Sequence, residues 1–171
     1  MGGYGSGRYA DTYDFTIEDC LRIDVNWLKR GGYLKTGCHI SSTLHWSQNG
    51  RPIGSIGFES RLDLNPPYVR LHYTWDKTEQ ISYQVHLTRT RPNYGGVRWW
   101  FVCPGMRCGR RIGKLYKPPD SKYFLCRTCQ HLTYTSCRES HQFDAHYALL
   151  ARNVGTTPEI VRHLLSGKGR G

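Results

Sequence analysis

Between Val69 and Thr88 apolar and polar residues alternate almost without a break. Val69, Leu71, Tyr73 and Trp75 alternate with Arg70, His72, Thr74 and Asp76; after Lys77-Thr78, Ile81, Tyr83, Val85 and Leu87 alternate with Gln80, Ser82, Gln84, His86 and Thr88. A period of two puts each set on its own side of a strand, so this stretch predicts a hairpin with one dry face. Upstream, Ile40–Ser47 and Pro52–Leu62 read as strands joined by Gln48-Asn49-Gly50-Arg51, because Asn-Gly accepts the positive φ angles of a type I′ turn. Alternation of this quality predicts an antiparallel sheet wet on one side, whose apolar side needs a cover. His45, His72 and His86 fall on the wet side and read as solvated residues.

The cover predicted by the pattern is a helix over 16–30. Thr16 followed three residues later by Asp19 resembles a capping box, Ile17, Cys20, Leu21 and Leu28 share a face at helical spacing, and Gly31-Gly32 supplies a stop. Before it, Met1-Gly-Gly-Tyr-Gly-Ser-Gly-Arg8 is too rich in glycine for regular structure and reads as a flexible arm. Gly2 and Ser6 formally match an N-myristoylation pattern, which the glycine content explains without lipidation. After Cys137 the pattern is helical again, over 140–152 and from Pro158 to Leu165, with Thr157 as cap and Pro158 at the first helical position. The closing Gly-Lys lacks the strand before it and the helix after it that a phosphate loop requires.

Charge divides the chain unevenly. Of its 24 Lys and Arg and 13 Asp and Glu, residues 1–96 carry 11 and 9, whereas 97–171 carry 13 and 4, so nearly all of the +11 net charge lies in the second part. Such a field attracts polyanions, meaning nucleic acid or an acidic protein surface. No apolar run reaches the roughly 18 residues that a membrane span needs. Seven cysteines, an odd number, with no signal-peptide pattern predict a reducing, cytoplasmic setting in which thiols serve as metal ligands or core residues.

The cysteine spacing carries the chemistry. Cys103-Pro-Gly-Met-Arg-Cys108-Gly is followed, after seventeen residues, by Cys126-Arg-Thr-Cys129. Two close pairs at this separation bring four thiolates to one tetrahedral Zn²⁺, and four protein ligands leave no open position, so the ion reads as structural. Gly109 suits the positive φ of a turn that bends amides toward sulfur. The first pair is wider than the common two-residue spacing, so its turn must differ. Arg98–Val102, Arg111–Tyr116 and Lys122–Leu125 then supply the three strands of a zinc ribbon. Cys20 and Cys38 read as spare thiols. Cys137, His141 and His146 form a weaker second metal-site pattern, since no cysteine pair completes it.

Cations and rings interleave around the ribbon: Arg98, Trp99, Trp100 and Phe101, then Arg107, Arg110, Arg111, Lys114, Tyr116 and Lys117, then Lys122, Tyr123, Phe124 and Arg127. Cations neutralise phosphates and exposed rings stack on bases, so Arg107, Arg110, Arg111, Lys114, Lys117, Lys122 and Arg127 are the candidate nucleic-acid contacts, whereas Trp99 and Trp100 also suit the ribbon core. Nothing in the sequence matches a helix-turn-helix or a base-reading finger. Asp120, Glu139, Asp144 and Glu159 are scattered where a metal-dependent nuclease needs carboxylates that converge. A ribbon-supported nuclease with His131 as base is the lesser alternative.

Gly2–Arg8, Thr16–Trp27, Thr90–Pro104, Cys108–Tyr116 and Tyr123–Tyr134 together resemble an uncharacterised family of small bacterial proteins often associated with mobile elements. The resemblance spans about residues 1–140, implies a zinc-ribbon module and brings no assigned activity; its setting suits plasmid, phage or defence systems. The expected fold is α+β: a flexible arm (1–15), a helix with an antiparallel sheet (16–92), a four-cysteine zinc ribbon (93–136) and a helical tail (137–171). The expected function is non-enzymatic binding of nucleic acid or a nucleoprotein machine. The alternative is a protein-binding accessory or inhibitor of a nucleic-acid-processing or defence effector.

Overall fold

The computed structural model describes residues 15–93, 95–139 and 144–165. They form two compact units: one spans Asp19–Leu132, and the other is built, among the described residues, from 15–18, 133–139 and 144–165. The fold is mixed α and β, with a curled antiparallel sheet and four α-helices among the described residues.

The alternating segments become strands with the predicted faces. β2 (His39–Gln48), β3 (Arg51–Arg61), β4 (Tyr68–Trp75) and β5 (Glu79–Thr90) follow β1 (Leu21–Asp24) in the chain. β2 to β5 are consecutive neighbours in a six-stranded sheet that continues through β6 (Arg98–Val102) to β7 (Arg111–Ile112). Every pairing in it is antiparallel. Asn49 and Gly50 both take the positive φ expected of their turn, at 51° and 77°. Registers Phe58↔Leu71, Leu71↔Tyr83 and Leu87↔Phe101 set the inward side chains in rows across the sheet. Phe58, Leu71, Val69, Val85 and Phe101 are almost wholly buried. His45, His72 and His86 are exposed, as the pattern required. Gly57 is matched to His72 across the ladder, and a Cβ there would lie 1.9 Å from the imidazole Nε2. That close approach accounts for a glycine in the middle of a long strand.

The helix expected over 16–30 is shorter. Ile17–Asp19 form one 3-10 turn, Leu21–Asp24 form β1, and only Val25–Arg30 are α-helical (α1). The physical reason is a second periodicity hidden in the first. Leu21, Ile23 and Val25 alternate with Arg22 and Asp24, and two of the three are β-branched, which favours an extended strand. Asp24 is the true N-cap: its carboxylate accepts from the backbone N–H groups of Asn26 (2.8 Å) and Trp27 (3.4 Å). Gly31-Gly32 ends the helix where predicted. Val25 and Leu28 are buried in the same cluster as Leu44, Phe58, Val69 and Phe101.

The segment read as a zinc ribbon, 93–136, lies in this unit as far as Leu132. Arg98–Val102 forms β6 as expected, but it pairs with β5 through Leu87↔Phe101 and Thr90↔Arg98. Arg111–Tyr116 breaks at Gly113 into β7 and β8 (Lys114–Lys117), and the full ladder of β8 is with β1. Lys122–Leu125 contributes a single bridge, Leu125 to Tyr116.

In the second unit, α2 (Thr135–Glu139) precedes α3 (Asp144–Val154) and α4 (Pro158–Leu165). α4 matches the helix expected from Pro158 to Leu165, with the Val161 N–H donating to the Thr157 carbonyl at 3.2 Å, and α3 overlaps the one expected over 140–152, of which 140–143 lie outside the described residues. The glycine-rich arm lies outside the described residues except for Phe15. No helix among the described residues is long and apolar enough to cross a membrane.

Candidate metal centre

Two turns deliver the four cysteines. The first leaves β6 at Val102 and returns to β7 at Arg111. Its base is closed by the Cys103 N–H donating to the Arg110 carbonyl at 2.9 Å, and its tip by the Cys108 N–H donating to the Gly105 carbonyl at 2.9 Å. The extra length of this pair is absorbed by two left-handed residues, Arg107 (φ 59°) and Gly109 (φ 57°). The second turn carries Cys126 and Cys129, with the Gln130 N–H on the Cys126 carbonyl at 3.1 Å. Phe124, fully buried beside it, packs on Trp46 and Tyr73, and its N–H donates to the Tyr83 hydroxyl at 2.7 Å. Gln130 Nε2 donates to the Tyr123 carbonyl at 2.6 Å and the Tyr116 carbonyl at 3.1 Å, tying the second turn to β8.

Cys103, Cys108, Cys126 and Cys129 place their sulfurs within 4.8 Å of one another. The Cys103–Cys129 separation is 3.9 Å and the Cys108–Cys126 separation 3.8 Å. Disulfides need about 2.05 Å, whereas four thiolates at about 2.3 Å around a tetrahedral ion stand about 3.8 Å apart, so the spacing is that of metal ligands. Amides point at sulfur as well: Cys126 N–H on Cys103 Sγ at 3.4 Å and Cys129 N–H on Cys126 Sγ at 3.3 Å. Cys103 and Cys126 are buried, and Cys108 and Cys129 are half-buried.

Electrostatics alone do not favour four ionised sulfurs here. Burial pushes the Cys103 and Cys129 thiols up, while the Arg110 backbone N–H lowers Cys108 to about 7. A cation at the centre reverses this, because coordination deprotonates thiols outright. Among the described residues this is the one such cluster. Cys137 and His146 are exposed, and His141, the remaining member of the weaker pattern, lies outside the described residues. Cys20 and Cys38 are half-buried, Cys20 ahead of β1 and not on a helix.

Gly105 escaped the sequence reading, which attended to Gly109. A Cβ on Gly105 would lie 2.9 Å from Cys129 Sγ and 3.4 Å from Cys103 Sγ. The Pro-Gly pair after Cys103 was the available signal. Gly105→Ala is therefore expected to crowd the sulfur cage and weaken metal retention by about 10- to 100-fold, the range seen for outer-shell changes. Competition with a chromogenic chelator checks it.

The predicted basic contacts divide by environment. Arg107, Arg110 and Arg111 are exposed, and none is in an ion pair among the described residues. Arg110 donates to the Thr128 hydroxyl at 3.1 Å, bracing one turn on the other. Lys114 is exposed and lies 3.9 Å from Asp24. Lys122 is paired with Glu79 at 2.5 Å, with its ammonium over the Trp75 ring. Arg127 and Lys117 are half-buried. Trp99 is in the core, whereas half-buried Trp100 lies under Arg98, 4.1 Å from the guanidinium carbon. His131 is exposed, with φ 51°, and belongs to no cluster of metal-ligating side chains among the described residues. Comparison with protein-family models, with curated proteins and with solved structures returns no match.

Proposed function

We propose that this chain is a non-enzymatic zinc-ribbon protein that binds nucleic acid, alone or within a nucleoprotein machine, through the basic surface around its metal centre. The observation that carries the reading is the placement of Arg107, Arg110 and Arg111. They are exposed on the turn and strand that bear Cys103 and Cys108, and no carboxylate among the described residues pairs with them. Four thiolates satisfy Zn²⁺ and leave no position for water or substrate, so the ion organises the turns and does not catalyse. Guanidinium groups fixed on such a frame meet phosphate oxygens at little entropic cost.

The test is fluorescence anisotropy of labelled single-stranded DNA, duplex DNA and RNA titrated with metal-loaded protein. Submicromolar binding that falls about tenfold or more in the Arg110→Ala, Arg111→Ala double variant is expected, since a hydrogen bond to a charged group is worth roughly 1.5–3 kcal/mol. Absence of binding to all three probes overturns the reading in favour of an acidic protein partner.

A further inference from the structure

β3 and β4 part company halfway along. They pair from Arg61↔Tyr68 to Gly57↔His72 and no further. Yet β3 runs back to Arg51 and β4 runs on to Trp75. The outer edges stay engaged, β3 with β2 as far as Arg51 and β4 with β5 as far as Trp75. The inner edges of Arg51–Ile56 and Tyr73–Trp75 therefore pair with no strand among the described residues. The gap is a cleft of about 340 Å³, walled by Gly54–Ile56 on one side and Tyr73–Asp76 on the other, with Leu21 and Lys117 also lining it. Consecutive residues of a strand point to opposite faces, so consecutive residues line a cavity together only along the strand's edge. The unpaired backbone edges thus border the cleft together with Trp75 and Lys117, while the Tyr73 ring packs on Phe124 and Tyr83.

Resting on the nucleic-acid reading above, we propose that this cleft is a pocket for a single nucleotide, taking one unstacked base with its phosphate on Lys117. Each part of a nucleotide has its counterpart. An aromatic ring, here Trp75, stacks on a base, edge amides and carbonyls pair with its polar rim, and an ammonium binds the phosphate. Asp76 adds an acceptor, which suits a base with an exocyclic amino group. Lys117 is half-buried and in no ion pair among the described residues. Burial lowers its pKa and nearby Asp120 opposes that shift, so an anion in the cleft relieves a desolvated charge. An added peptide strand suits the cleft less well. It needs about 4.8 Å to each neighbour along its length, and this wedge closes where Gly57 meets His72.

The experiment is a ¹⁵N–¹H titration of the full metal-loaded chain with AMP, with inorganic phosphate and with a short single-stranded oligonucleotide. AMP is expected to shift the Gly54, Ser55 and Thr74 amides while phosphate at equal concentration does not. Lys117→Met, which keeps the apolar stem, is expected to weaken AMP about tenfold with metal content and melting temperature unchanged. The oligonucleotide shifting the same amides assigns the pocket to a base within a strand; AMP alone shifting them assigns it to a free nucleotide, and both support the pocket. Oligonucleotide binding with cleft amides silent to both AMP and the oligonucleotide, or AMP affinity unmoved by Lys117→Met, overturns the pocket and leaves the ribbon reading intact. AMP shifts together with unimpaired oligonucleotide binding by the Arg110→Ala, Arg111→Ala variant support the pocket and overturn the ribbon reading.

Discussion

A Cys126→Ser chain is expected to purify without bound metal and to melt far below the wild type. Structural zinc contributes an apparent 10–16 kcal/mol of binding free energy in small domains, roughly the whole folding stability of a domain, which is about 5–15 kcal/mol. Cys126 is the most consequential ligand to remove. It is buried, and its sulfur lies 3.8 Å from Cys108 Sγ on the first turn and accepts from the Cys129 N–H on the second, so both turns lose an anchor at once. The damage does not stop at the turns, because Phe101, fully buried in the sheet, stands two residues before Cys103 on β6. A drop in melting temperature of about 10 °C or more follows from such a loss in a chain of this size. Metal analysis by emission spectroscopy and a thermal scan with and without chelator provide the check. A Ser variant that retained full metal and the wild-type melting temperature would remove the four-thiolate centre from the account.

The second large effect is expected from a residue that touches no metal. Phe124→Ala empties a site with no solvent access, flanked by Trp46 stacked at 5.9 Å and Tyr73 edge-on at 5.9 Å. Truncating a buried Phe costs about 3–5 kcal/mol through lost transfer energy and the cavity left behind. Here the ring also positions the segment entering Cys126, so metal affinity should fall along with stability. Phe124→Leu, which fills most of the volume, is expected to restore much of both. Urea unfolding of the three proteins measures the first effect and chelator competition the second; an alanine variant within 1 kcal/mol of wild type would show that the ring is not a keystone of this region.

Most of the sheet was legible in the sequence because it obeys one rule at a time. Val69–Trp75 and Ile81–Leu87 each bury one face only, so period-two alternation survives in the residue order. The Asn49-Gly50 turn was equally plain, its two positive φ angles being a local demand that few other residues meet. The stretch from Thr16 to Arg30 was not, since Leu21 and Val25 fit both a helical face with Leu28 and an extended alternation with Ile23. The choice fell to a tertiary fact, the pairing of Leu21–Asp24 with Lys114–Lys117 almost a hundred residues away, and local pattern carries no trace of it. The four sulfurs were legible from spacing alone because ligand geometry is set by the ion. The continuation of the sheet into β6 was not, because the same strand edge can satisfy a ribbon partner or β5, and residue order does not choose. Lys117 and Lys122 illustrate the remaining gap. As letters they match Arg110 and Arg111, yet one lines a cleft and the other is held by Glu79.

The account's central claim, that the arginines around the metal centre contact phosphate, is tested most directly by the salt dependence of oligonucleotide binding. The logarithm of the binding constant is to be measured against the logarithm of salt concentration for wild type and for Arg110→Ala, Arg111→Ala, both metal-loaded. Each phosphate contact on a single strand contributes about −0.7 to the slope, so losing two is expected to flatten it by about 1.4. Parallel lines for the two proteins, with affinity unchanged, would contradict the claim.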